Sequence, residues 1–119
     1  MSDRLLLHVR QMQAAAADAC RFIEHLDRDA FLENVMVQRA VGMSILMLGE
    51  AAVRLIREDP EFTVAHPEVP WNQIQGLRNR IAHGYFDVDL EIIWETVHAS
   101  LPILLDKLNA LDHWRPQGE

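Results

Sequence analysis

The sequence has one cysteine, Cys20, in 119 residues. A lone cysteine excludes an intrachain disulfide and any cysteine-based zinc cluster. Glycine and proline are scarce, five of each, which excludes a loop-dominated or collagen-like chain. No apolar run approaches the ~20 residues of a membrane span. The opening Met1-Ser2-Asp3-Arg4 lacks the basic start, apolar stretch and cleavage site of a secretory signal. The expectation is a cytoplasmic protein with no membrane association. Basic residues are also few, 11 against 18 acidic, for a net charge of −7. That balance argues against a passive nucleic-acid coat, whose affinity rests on phosphate neutralisation, and DNA binding is not expected. An enzyme with a local basic cleft stays compatible with it.

What the chain does have is apolar material, half of its residues, laid out with helical period. Its length suits one domain, 1–119, with a frayed tail about 115–119. Leu5, Val9, Met12, Ala16, Ala19, Ile23 and Leu26 recur at alternating spacings of four and three. That is one apolar seam on a helix, with Ser2 placed to cap its start. The cluster Asp27-Arg28-Asp29 predicts a break. A second helix is predicted from near Asp29 to about Glu58. Its stretch from Ala40 to Val53 is apolar nearly all round, which predicts a central position with Met36, Met43 and Met47 in the packing. Its small residues, Gly42 and Gly49 among them, let neighbouring helices approach closely.

From Asp59 to Pro70 three prolines, Pro60, Pro67 and Pro70, predict an irregular surface loop. A third helix is predicted from Pro70-Trp71 to Ala82 or His83, with Pro70 at the first helical position and Gly84 as a C-cap. The fourth starts at Asp87 or Asp89 and carries the seam Leu90, Trp94, Val97, Leu101, Leu104, Leu108 and Leu111, kinked at Pro102. The predicted fold class is all-α, an antiparallel bundle of four to five helices.

The chemistry concentrates in Gly76-Leu77-Arg78-Asn79-Arg80-Ile81-Ala82-His83-Gly84-Tyr85, a locally cationic stretch holding the sole tyrosine. His83 brings an imidazole, a group that can take or give a proton. Arg78 presents a planar charged fork suited to phosphate. Asn79, four residues before His83, can orient the imidazole or a substrate group. Arg78 and His83 are five residues apart, about 140° around an ideal helix, so they diverge within one chain. Two copies about a two-fold axis bring such groups into one shared cleft. The plainer alternative is a histidine serving the helix dipole and two solvated arginines. Glu50, a carboxylate in an apolar stretch, is a candidate cleft residue or a partner for Arg78 or Arg80.

The six histidines, at 8, 25, 66, 83, 98 and 113, form no His-x-x-x-His or His-Glu-x-x-His pair, so no metal site and no cofactor are expected. His98 is expected to be partly buried, and His66 to lie in the proline loop. Trp71, Trp94 and Trp114 are expected as core and interface anchors.

The string Arg78-Asn79…His83-x-Tyr85, preceded by Leu48-Gly49-Glu50-Ala51-Ala52 and Pro70-Trp71, resembles the HEPN superfamily and, more closely, its HepT-like toxins. The resemblance runs over about residues 4 to 111. It implies a dimerising all-α fold and a metal-independent endoribonuclease whose two subunits line one cleft with Arg and His. By that resemblance His83 activates the ribose 2′-hydroxyl or protonates the leaving 5′-oxygen, Arg78 stabilises phosphate charge, and Asn79 positions the site. Glu50 and Arg80 then stand as possible cleft residues. Tyr85 resembles the tyrosine to which a nucleotidyltransferase antitoxin attaches AMP. The alternative is a non-catalytic module that binds a nucleotidyltransferase partner or a nucleotide.

Overall fold

The computed structural model describes residues 2–112, and among them every regular element is helical. The helices are α1 (Asp3–Phe22), α2 (Arg28–Leu32), α3 (Val35–Glu58), α4 (Pro60–Ala65), α5 (Trp71–Gly84), α6 (Leu90–Glu95) and α7 (Leu101–Asp112). A 3₁₀ turn (Tyr85–Asp87) follows α5, and a π-helical segment (Thr96–Ser100) joins α6 to α7. No described helix is long and apolar enough to cross a membrane. Trp114, His113 and the tail expected to fray lie outside the described residues.

α1 forms on its predicted seam but ends at Phe22, so Leu26, expected as the seam's last member, lies past the helix and is only half-buried. Ser2 Oγ accepts from Leu5 N–H at 3.1 Å, satisfying a first-turn donor. Leu5, Val9, Met12, Ala16, Ala19 and Ile23 are all buried. They pack on α3 and on α7, the two elements that share most of the interior with α1. The seam of the last helix is buried likewise from Trp94 through Val97, Leu101, Leu104 and Leu108 to Leu111.

The long helix expected from Asp29 to Glu58 is two helices. Glu33 ends the first and Asn34 caps the second, its Oδ1 accepting from Val37 N–H at 3.0 Å. Buried Gln38 locks the corner by donating to the carbonyls of Phe31 and Leu32, both at 3.0 Å. The proline segment, expected as irregular, contains α4. Pro60 sits in its first turn, where the missing N–H costs nothing, and the other two prolines lie beyond its end. Phe62 and Thr63 anchor this short helix in the interior. Trp71 Nε1 donates to the His66 carbonyl at 3.0 Å and closes the loop, which leaves His66 buried.

Two helix ends also differ from expectation. Pro70 occupies the N-cap of α5, not its first helical position. Gly84 is not a left-handed cap, since its φ of −167° is extended backbone and the chain continues into the 3₁₀ turn. Asp89, not Asp87, caps α6, accepting from Glu91 N–H at 2.9 Å. Near Pro102 the helix widens into the π-helical segment. Proline has no N–H to donate, and a π turn upstream redistributes the strained bonds.

The centre of α3 is apolar all round but not buried all round. Val41, Ile45, Leu48, Ala52 and Leu55 face the core, whereas Met36, Met43 and Met47 are 77%, 56% and 54% exposed. The expectation that these methionines pack centrally is therefore corrected within one chain. They line up at seven and four residues' spacing, a stripe along one outer face.

Candidate functional site

α3 and α5 carry the candidate residues, and two glycines set how closely they lie. A Cβ added at Gly49 would collide with Cβ and Cγ of Arg78. One added at Gly42 would stand 2.9 Å from Tyr85 Cε2. Gly42 and Gly49 are seven residues apart, so they share a face of α3. That face receives the arginine near the middle of α5 and the tyrosine just after its end.

Arg78 is gripped on arrival. Its Nε and Nη2 donate to Glu50 Oε1 at 2.9 and 2.5 Å. Its Nη1 donates to Asn79 Oδ1 at 2.9 Å. The guanidinium has five N–H groups, so the outer ones stay available to a phosphate. The side chains of Arg78 and Glu50 are 25% and 43% exposed. The pair is thus half-buried rather than buried, and Glu50 takes Arg78 and not Arg80.

His83 is exposed and has no hydrogen-bond partner among the described residues. It lines a hollow of about 390 Å³ together with Arg80, Gly84, Asp87 and Asp89. Asn79 gives its oxygen to Arg78 and makes no bond to the imidazole, one of the two roles open to it in the sequence. The structure brings Arg78, Asn79 and Glu50 together and sets His83 with Arg80 elsewhere on the helix. Tyr85 is half-buried against Gly42, its ring edge-on to the exposed Phe86 at 6.2 Å.

His8 and His98 make contacts within the fold. His8 is 2% exposed, and its Nε2 lies 2.8 Å from Glu58 Oε2. His98 is exposed, not partly buried as expected, and stacks on Trp94 at 5.1 Å and 10°. Among the described residues no group of three or more His, Cys, Asp or Glu is placed to hold a metal ion. The close approach expected at Gly42 and Gly49 is formed; what sequence reasoning missed is which side chains fill it, Tyr85 and Arg78. The seven-residue spacing of Gly42 and Gly49 was the available signal.

Fold and site together define an all-α helical domain that presents an arginine clamp and a separate imidazole from one helix. The chain belongs to the ribonuclease HepT-like family, whose sequence profile matches residues 12–111. A provisionally named RNase of Methanocaldococcus jannaschii is 35% identical over 88 residues, 74% of this chain and 78% of its relative. A provisionally named ribonuclease HepT of Thermococcus cleftensis is 31% identical over 99 residues, 80% and 87% of the two chains. A provisionally named RNase of Caldanaerobacter subterraneus is 34% identical over 82 residues, 69% and 70%. No solved structure matches. The coarse class that these relatives support is a ribonuclease.

Proposed function

We propose that the chain is a metal-independent endoribonuclease toxin that works as a homodimer on RNA. The observation that carries this reading is the state of Arg78, clamped by Glu50 and Asn79 while His83 stands apart with no partner. Each chain then holds a prepared phosphate clamp and a separate acid–base group. A second copy about a two-fold axis supplies the missing half of each pair. The exposed stripe Met36, Met43 and Met47 runs along α3 toward Glu50 and gives such a copy an apolar surface to cover.

In the reaction His83 takes the proton of the ribose 2′-hydroxyl as its oxygen attacks phosphorus. The bond from phosphorus to the 5′-oxygen breaks, and the leaving oxygen receives a proton from imidazolium. The products are a 2′,3′-cyclic phosphate and a 5′-hydroxyl. Arg78 stabilises the charge that builds on the phosphoryl oxygens. Glu50 and Asn79 are positioning residues that fix the plane of the guanidinium. Tyr85 is the proposed acceptor of AMP from a nucleotidyltransferase antitoxin. A phosphate-bearing group on it would sit beside α3 and α5 and repel RNA.

The test is RNA cleavage with chelator present, beside His83→Ala. The expected loss is at least ~100-fold in kcat, the usual scale of a general acid–base residue, with unchanged helical circular dichroism. Full activity of His83→Ala removes the imidazole from the mechanism. Inactive wild type of unmodified mass would favour the interaction-module alternative, for which the exposed methionine stripe also offers a surface.

A further inference from the structure

The reaction scheme leaves one large feature of the molecule unused. α5 rests on α3 and leaves a groove between itself and the C-terminal helices. Ile45 and Leu48 of α3 line it, with Ile74 and Leu77 of α5 and Leu101 and Leu104 of α7. Its volume is about 410 Å³, within the range of about 300–1,000 Å³ of small-molecule sites. Arg80 is its one charged lining residue. Leu77, Arg80 and Ile92 also line the hollow that holds His83. The two spaces therefore adjoin: an apolar slot leads to a guanidinium and an imidazole.

Gly76 gives an independent sign. A glycine inside a helix weakens it. Gly42 and Gly49 have a reason within the chain, since Tyr85 and Arg78 fill the space beside them. Gly76 has none: a Cβ there would meet nothing within 4 Å, and the residue lines the groove. Arg80 is one turn further along α5, about 6 Å in rise.

We infer that this groove holds a nucleobase of the RNA, with the adjoining phosphate at Arg80 and His83. The inference rests on the ribonuclease reading and adds a subsite to it. Apolar side chains on both sides suit the faces of a base, as in sites that take a base out of its stack. Asn72 and Gln73 at the groove offer amide donors and acceptors to a base edge. Asp87 and Asp89 line the hollow but not the groove, so the phosphate belongs at the junction beside Arg80. An apolar protein segment would leave that guanidinium without a counter-charge, which favours a nucleotide over a second copy.

The test plugs the groove from either wall in the full chain, with Gly76→Leu and Ser100→Phe. Nucleotide binding is read by titrating 5′-AMP and 5′-UMP, following amide chemical shifts. Wild type is expected to bind at least one of them through groove residues, and each plug to weaken binding at least ~10-fold. In RNA cleavage the plugs should raise KM by about that factor and move kcat less, the pattern of lost ground-state binding. Circular dichroism and molecular mass should match wild type. Unchanged nucleotide binding in both plugged variants overturns the subsite. So does a fall to monomer mass with nucleotide binding intact, which would place a second copy in the groove. If wild type cleaves no RNA yet binds nucleotide in a way both plugs abolish, the subsite stands and the nuclease reading fails. If it cleaves RNA but shifts no groove residue with either nucleotide, the subsite fails alone.

Discussion

Single side chains set two properties here, acid stability and the readiness of the proposed phosphate clamp. Arg4 donates to both oxygens of Glu58, at 2.9 and 2.6 Å, and His8 Nε2 lies 2.8 Å from Oε2. These hydrogen bonds, that from Arg4 first, hold the Glu58 carboxyl at about 2 against an ordinary 4.5. A carboxyl lowered on folding stabilises the fold fully above its unfolded value, and the gain is lost as pH falls through the folded one. The difference in melting temperature between wild type and Glu58→Gln should thus be widest above about pH 5 and close toward pH 2. A difference that stays constant over that range would assign Glu58 no linked proton. Gly49→Ala is expected to push Arg78 off Glu50, lowering RNA cleavage at least ~10-fold while most of the helicity stays. Equal cleavage by Gly49→Ala would show that the clamp tolerates the shift. His8 and Glu58 are 50 residues apart in sequence, and nothing in helical periodicity announces their pairing. Glu50 was legible as an oddity in an apolar stretch. Which arginine it takes depends on the relative phase of α3 and α5, a property of two helices at once.

Elements were legible where an apolar seam ran unbroken and illegible where polar residues redirected the backbone. α1 and the α6–α7 run follow their spacing of three and four from Leu5 to Ile23 and from Trp94 to Leu111. The corner at Asn34 did not show, because Phe31, Val35 and Val37 continue an apparently helical pattern across it. A side-chain oxygen on one N–H and a buried Gln38 on two carbonyls decide that break. α4 escaped notice because three prolines in eleven residues read as disruption, although only Pro60 lies in the helix, in its harmless first turn. Asn34→Ala is expected to cost about 1 kcal/mol, a usual figure for a lost N-cap, and to lower the melting temperature by a few degrees. No change would mean that Gln38 alone sustains the corner. Pro102→Ala should raise the melting temperature, since it returns a backbone donor to the π-helical stretch. Amide exchange around Thr96–Ser100 should then slow. Unaltered exchange there would separate the widened turn from the proline.

At the scale of the whole molecule, α3 serves two sides. Its inner face holds α1 and α5, and its outer face exposes three methionines. Apolarity all round had suggested a fully enclosed helix, a pattern equally satisfied by a helix with one face left for a neighbour. Composition does not distinguish those cases, because it records what a residue prefers and not which molecule provides it. Sedimentation of wild type is expected at about twice the chain mass of 13.7 kDa, and Met43→Glu with Met47→Glu should return it toward the single-chain value. A wild-type monomer that cleaves RNA normally would refute the shared cleft. The open side between α5 and the C-terminal helices was not foreseen at all. Each of those helices satisfied its own pattern, and a gap between them belongs to neither.

The divergence of Arg78 and His83 on one helix has a consequence for inheritance. If a working cleft needs groups from two chains, a defective chain does harm beyond its own inactivity. Co-expressed with the intact protein, His83→Ala would capture intact partners in mixed pairs and leave fewer complete clefts. The defect would behave as dominant, and its severity would follow the ratio of the two chains and not merely the dose of the good one.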